Sequence, residues 1–389
     1  MVAVALETER TAGTGLEAGT PAAGDARSAR WWRTIVRSLS PVILALIAGG
    51  LLLLALGQNP FRFYVAVWQG GVESGGWQNS AVLMAPLLLI ALALIIVFRA
   101  GIWNLGYDGQ YLMGAALVAG FGPSLLQRWP APLAYAALFL IAGAAGALWT
   151  LLPAVLKAWY ETNEIITTLM MSFIGVGVAN ILVKGPFQDP AVNIPQTRTI
   201  PFSKLLPNLS GTRVHVGVVL ALGAVVVVYY LMTRTSFGLR LQVLGANPRT
   251  AGHVGINVRR VIVSSFLWSG FLIGVAAAVD ILGLFAYVRA NWNPGYGDTV
   301  IPFVFLARLN PLAVVPFVAF YAVLSTGGDL AAQQANLPTD FLLVLVALIL
   351  LFMTVIEYLG RRRDLGQSYL TPGLKEALRR PLVRRRPGQ

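Results

Sequence analysis

Cysteine is absent from this 389-residue chain, which excludes disulfides, thiol nucleophiles and cysteine-based metal sites. Histidine is almost absent. His215 and His253 stand far apart, so neither a histidine-rich metal site nor a histidine-centred catalytic group is expected. No Gly-Lys dipeptide occurs, which removes the P-loop and with it nucleotide hydrolysis by this chain. Charge is scarce too. Charged residues make up 12% and hydrophobic residues 57%, against about 25% charged in soluble domains. The mean hydropathy is +0.70. Such a balance suits lipid as the solvent.

What is present is a series of apolar runs. About 20 mostly apolar residues are needed to cross roughly 30 Å of hydrocarbon. Candidate spans are 41–57, 80–98, 106–126, 131–156, 164–183, 214–233, 261–288, 298–309, 311–328 and 340–359. The expected fold is an all-α integral membrane protein of about ten transmembrane helices. The third and eighth spans are glycine-interrupted or short and read as broken or re-entrant helices. Residues 1–34 read as a disordered cytoplasmic arm, 35–360 as the transmembrane domain and 361–389 as a basic tail. The first apolar run is followed by Gln58-Asn59-Pro60 rather than a small-residue cleavage site, so it reads as an uncleaved anchor.

The net charge of +13 is explained by topology rather than by nucleic acid. With the N-terminus inside, 22 of the 29 basic residues fall on the cytoplasmic side. Arg62, Arg128, Lys184, Arg198, Lys204, Arg213 and Arg289 fall outside. This asymmetry supports an even number of spans with both ends in the cytoplasm. The basic tail reads as an anchor for lipid headgroups. The proline-rich segment 184–213 reads as an extended outer cap, either facing a delivery protein or acting as a passive lid.

Four polar segments interrupt the apolar background. In GIWNLGYDGQYLMGA (101–115), Asn104, Asp108 and Gln110 are costly in lipid, about 2.5–3.5 kcal/mol for an Asp at mid-span. Broken helices with polar ends build solute sites. Equally, Asp108 serves as a helix cap and Asn104 as a helix–helix hydrogen bond. In ANWNPGYGDTV (290–300), Trp292-Asn293-x-Gly295-Tyr296 repeats Trp103-Asn104-x-Gly106-Tyr107 at an offset of 189 residues. The two copies lie towards opposite faces, as an inverted-topology repeat predicts. Asp298 and Thr299 would then cap a half-helix facing the other way.

The third segment, SFGLRLQVLGANPRTAGHVGINVRR (236–260), is cytoplasmic. It places Leu239, Val243 and Leu244 on one helical face and puts Pro248 at a helix start, which suits docking to a soluble partner. The fourth, YETNEIITTLMMSF (160–173), offers Thr162 as a cap and Glu164 near the first turn. Deeper in the spans lie Asn180 and Asp280. Asp280 either lines the solute path or pairs with Arg289.

At these residues the chain resembles the permease subunits of the nucleoside and simple-sugar ABC importers, the group that includes ribose and galactoside permeases. The carrying motifs are 84–115, NEIITTLMMSFIG (163–175), SFGLRLQVLGANPRTAGHVGI (236–256) and, more weakly, 302–328. The resemblance implies that 245–256 is the helix that docks on the ATPase, with Gly245, Asn247, Pro248, Arg249, Gly255 and Ile256 at its motif positions. It implies a translocation path near NLGYDGQ, where Asp108 stands in place of the family's usual Glu. It implies as partners two ATPase subunits, a second and related permease, and an extracytoplasmic solute-binding lipoprotein in a bacterial cytoplasmic membrane. No cofactor is expected, and ATP hydrolysis is expected in a separate chain. The motif at 163–175 leans towards nucleosides. A simple-sugar permease is the alternative, and an ion-coupled secondary transporter using Asp108 and Asp280 is a more distant one.

Overall fold

The computed structural model describes residues 23–73, 75–338 and 341–364. Residues 1–22 of the expected arm and 365–389 of the expected basic tail lie outside the described residues. Thirteen α-helices follow one another among the described residues. They are α1 (Ala23–Ala55), α2 (Pro60–Gly71), α3 (Gly76–Arg99), α4 (Tyr107–Arg128), α5 (Ala131–Tyr160), α6 (Glu164–Lys184) and α7 (Gly217–Arg234). Then come α8 (Ser236–Ala246), α9 (Pro248–His253), α10 (Val258–Asp280), α11 (Tyr296–Leu306), α12 (Val314–Gln334) and α13 (Phe341–Asp364). A π-turn, Ile281–Phe285, extends α10. The first helix begins inside the stretch read as an arm.

Seven helices among the described residues are long and apolar enough to cross a membrane, and Leu39–Ala55 and Tyr296–Leu306 are shorter apolar helices. The protein is an all-α integral membrane protein, as expected. The third span is one continuous helix, α4, and the eighth is the 11-residue α11. A 12-residue helix, α2, was not anticipated from the sequence. Asn59 caps it by accepting from the Phe61 and Arg62 amides at 3.0 and 3.2 Å, with Pro60 at the first helical position, where a missing N–H costs nothing.

Helix α3 is the centre of the molecule. Leu87 to Val97 are all buried, which explains a run with no polar face: a helix apolar all round is a buried one. Around it the packing is paired. Helix α10 packs on α5 and on α4, while α3 packs on α12 and on α11, and α3 and α10 pack on each other. Small residues allow the closest approaches. A Cβ added at Gly146 would stand 2.1 Å from the Gly270 carbonyl oxygen, and one at Gly274 would stand 2.0 Å from that of Ala142. Backbones this close replace the hydrophobic effect, which is weak between helices in lipid, with dispersion contacts.

Candidate functional site

Two unwound segments lie at corresponding places in the packing, and both stem from the repeated motif. The first follows α3. Gly101 turns the chain with φ +72°, and residues 102–106 run without helix to Tyr107, the first residue of α4. The second follows α10. Ala286 and Asn291 adopt left-handed φ of 64° and 61°, and α11 starts at Tyr296. The register of the motif is kept in both. Asn104 Oδ1 accepts from the Gly106 amide at 3.1 Å, and Asn293 Oδ1 accepts from the Gly295 amide at 3.0 Å. Each asparagine closes the same local turn two residues on, a conformation its short side chain favours, and each glycine is the N-cap of the helix that follows.

The two copies then cross. The Tyr107 hydroxyl donates to Asp298 Oδ1. In return, Asn293 Nδ2 donates to Asp108 Oδ2 at 3.0 Å. The Tyr107 ring lies on Gly297, where an added Cβ would stand 2.0 Å from a ring carbon. Below this crossing, the buried carboxylate of Asp280 accepts from Tyr111 of α4 and from Tyr296 of α11. One acid of α10 therefore holds both helix starts. The rings of Tyr111 and Tyr296 meet edge to face at 5.8 Å, and Trp292 stands 6.1 Å from Tyr111.

The crevice between the copies is lined by Ile90, Tyr107, Asp108, Tyr111, Asn293, Pro294, Tyr296 and Gly297, and leaves no space that a water molecule could enter. Small-molecule sites occupy roughly 300–1,000 Å³, so the crossing is closed.

The residues singled out from sequence distribute around this crossing. Asp108 and Asp298 form it, but neither is a cap: the glycines hold that position, and the acids sit in the first turns. Thr299 bonds back to the Tyr296 carbonyl at 2.9 Å. Asn104 and Gln110 are fully buried and bond each other twice, at 2.9 and 3.2 Å, with Asn104 also donating to Ser269 Oγ at 3.0 Å. Asp280 has tyrosines rather than Arg289 as partners, and Arg289 stacks on Tyr287 at 5.5 Å instead. Asn180 lies apart, accepting from the Asn291 amide at 2.6 Å. Sequence reasoning missed Tyr107, Tyr111 and Tyr296. Two of them sit inside the repeated motif, which was the available signal.

The segment 236–260 folds as α8 and α9, running into the start of α10. Asn247 caps α9 by accepting from Arg249 and Thr250 amides at 2.9 and 3.2 Å, Pro248 is its first residue, and Gly255 follows it with φ +79°. The inward face of α8 is Leu241 and Leu244, while Leu239 is exposed. Gly245 rests on the first unwound segment, with its Cβ position 2.3 Å from the Arg99 carbonyl oxygen and 3.1 Å from the Gly101 nitrogen. At α6 the cap is Asn163, accepting from Ile165 at 3.0 Å, and not Thr162. Glu164 pairs with Lys157 at 2.7 Å. Among the described residues no group of three or more acidic or histidine side chains is placed to hold a metal ion.

Residues 76–354 match the family model described as branched-chain amino acid transport system / permease component. The chain is 32% identical to the glucose ABC transporter permease protein of Haloferax volcanii, over 85% of this chain and 90% of that protein. It is 29% identical to the guanosine ABC transporter permease protein of Bacillus subtilis, over 81% and 91%. It is 24% identical to a nucleoside ABC transporter permease protein of Lactococcus lactis, over 83% and 91%. No solved structure matches.

Proposed function

The chain belongs to the branched-chain amino acid transport system permease-component family and is the permease subunit of an ABC importer; from that premise we propose that its cargo is a nucleoside or a similar small polar solute. One observation carries this reading. The crossing of the two unwound segments combines hydrogen-bonding groups (Asp108, Asn293, Asp298) with a border of aromatic rings (Tyr107, Tyr111, Trp292, Tyr296). A nucleobase needs both. Its edge takes up donors and acceptors, and its face gains about 1–3 kcal/mol on an aromatic ring. The guanosine and nucleoside permeases among the relatives support the same choice.

The crossing serves as the gate of this half of the pore. Asn104 and Gln110 stiffen the inner approach to it, and Asp280 holds the two helix starts. ATP is hydrolysed by separate ATPase chains, which dock on α8 and α9 through Gly245, Asn247, Pro248, Arg249, Gly255 and Ile256. A second, related permease completes the pore, and an extracytoplasmic solute-binding lipoprotein delivers the cargo to the outer face. The chain sits in a bacterial cytoplasmic membrane with both ends inside, the orientation that its basic residues favour.

A simple sugar is the second reading, favoured by the 32% identity to a glucose permease. Uptake of radiolabelled adenosine, uridine, ribose and glucose in cells with and without the gene separates the two. Loss of nucleoside uptake, restored by re-expression, is the expected result. Loss of sugar uptake alone moves the assignment to the second reading.

A further inference from the structure

In lipid, every unwound backbone group needs a partner inside the protein, and the partners of the two unwound segments converge on one helix. The Leu105 amide donates to Thr168 Oγ1 at 3.1 Å and, just beyond the segment in the first turn of α4, the Gly109 amide donates to Ser172 Oγ at 3.1 Å. On the second segment the Asn291 amide donates to Asn180 Oδ1 at 2.6 Å. Thr168, Ser172 and Asn180 all belong to α6. Thr168 and Ser172 share its buried stripe with Gly175 and Ala179, and Asn180 stands at the stripe's far edge. At 1.5 Å per residue, Thr168 and Asn180 are about 18 Å apart along the helix. The opposite side of α6 exposes Met170, Phe173, Ile174 and Ile181, and its main packing is on α4 and α5.

The first segment also carries the contact with Gly245 of the cytoplasmic loop. The second is bonded on its other side to the outer loop. The Thr197 amide donates to the Val288 carbonyl at 2.9 Å, that of Ile200 to Ala286 at 2.9 Å, and that of Ala290 to Pro195 at 2.9 Å. A continuous series of contacts thus runs from the cytoplasmic loop to the outer loop, and α6 is its middle.

We propose that α6 is a connecting rod that makes the two unwound segments shift together, with Thr168, Ser172 and Asn180 as its positioning residues. The rod rests on the reading of these segments as the gate. A helix of 21 residues with its backbone bonds made internally is stiff along its axis. A displacement imposed at Thr168 and Ser172 therefore arrives at Asn180 undiminished. Asn180 pulls on a main-chain amide, two residues from the Asn293 that reaches Asp108.

The chain has no cysteine, so a single introduced thiol reports on one place. The complex is purified through a tag on this chain, carrying either Leu105→Cys on the first segment or Ala290→Cys on the second. Maleimide labelling rates are measured without nucleotide and after trapping with magnesium, ATP and vanadate. Both reporters are expected to change rate by at least about fivefold, the lower end of ordinary coupling. With Asn180→Leu, the thiol at 105 is expected to keep its response and the thiol at 290 to lose it. Asn180→Asp, which keeps an acceptor for the Asn291 amide, is expected to restore it. A role in stability alone moves both reporters or neither. A full response at 290 in Asn180→Leu overturns the rod. If that variant does not assemble, Ser172→Ala is tested with the thiol at 290, and an undiminished response there overturns it equally. Silence of both reporters in the otherwise unsubstituted complex, with ATP hydrolysis intact, overturns the gate reading on which the rod stands.

Discussion

Gly297→Ala is the sharpest perturbation of the crossing. The new Cβ would stand 2.0, 2.3 and 2.4 Å from three carbons of the Tyr107 ring, where carbon atoms prefer about 3.5–4.0 Å. Gly297 is buried in the first turn of α11, beside the left-handed Gly295, so the ring must yield. Overpacking of this kind costs about 1–3 kcal/mol. A ring that swings away also gives up its hydrogen bond to the Asp298 carboxylate, worth about 1.5–3 kcal/mol for a charged acceptor. Together the closed crossing loses about 2.5–6 kcal/mol. At about 1.4 kcal/mol per tenfold, the open population rises by about 60-fold or more. A thiol placed by Pro294→Cys lines the closed crevice. Its labelling by a membrane-impermeant maleimide tracks the open fraction, so the rate is expected to rise by the same factor. Tyr107→Phe, which removes only the hydrogen bond, is expected to give a smaller rise. Pairing Gly297→Ala with Tyr107→Ala relieves the overlap and makes the two effects non-additive. Labelling of Gly297→Ala within about twofold of its parent, the scatter of independent sites, would refute the geometry.

Three further outcomes follow from the same structure. Asp280→Ala leaves the Tyr111 and Tyr296 hydroxyls without their acceptor, at about 1–3 kcal/mol for each buried group; a thermal-unfolding scan in detergent is expected to show a marked loss that Asp280→Asn largely spares. His215, in the turn before α7 and against Gly283, accepts from the Gly217 amide at 3.1 Å and is held neutral by burial, its pKa lowered from 6.5 to about 4. The unfolded chain therefore binds the extra proton between those values, so stability is complete above about pH 6.5 and falls by roughly 3 kcal/mol towards pH 4; midpoints of unfolding across that range are expected to flatten in His215→Gln. Arg249→Ala in α9 and Gly255→Trp in the turn that follows it are expected to abolish uptake while the protein still reaches the membrane; normal uptake by both would remove the docking assignment.

The long spans were legible because lipid demands a simple signal, about 20 apolar residues in a row. Helix α3 shows it in full. The repeated Trp-Asn-x-Gly-Tyr also gave the position of both unwound segments. Its meaning was misjudged in detail. Asp108 and Asp298 look like caps by type and position, yet asparagine two residues before each glycine closes the turn. Helix α2 was hidden because its apolar stretch is too short for a span and its cap, Asn59-Pro60, reads equally well as a turn. What the sequence withheld altogether were the partners. Bonds such as Tyr107 to Asp298 and Asn180 to Asn291 join residues 191 and 111 positions apart, and no local pattern encodes them. The inward face of α8 failed for a related reason. Leu239, Leu241 and Leu244 are all apolar, and only the packing of α7, α3 and α10 against α8 decides which of them is covered.

The two copies of the motif are alike in sequence and in local turn, yet their side chains take different tasks. Tyr107 crosses to the other copy while its counterpart Tyr296 turns to Asp280. Asn293 crosses while Asn104 turns to Gln110 and Ser269. Even the acids are displaced: at the 189-residue offset Asp108 answers to Gly297, and Asp298 answers to Gly109. Two identical subunits about a two-fold axis have to make every contact twice, so a tyrosine that crosses in one would cross in both. Carrying both copies on a single chain lifts that constraint. One copy is free to become the bolt and the other the socket, and a division of labour that symmetry forbids becomes available to the crossing.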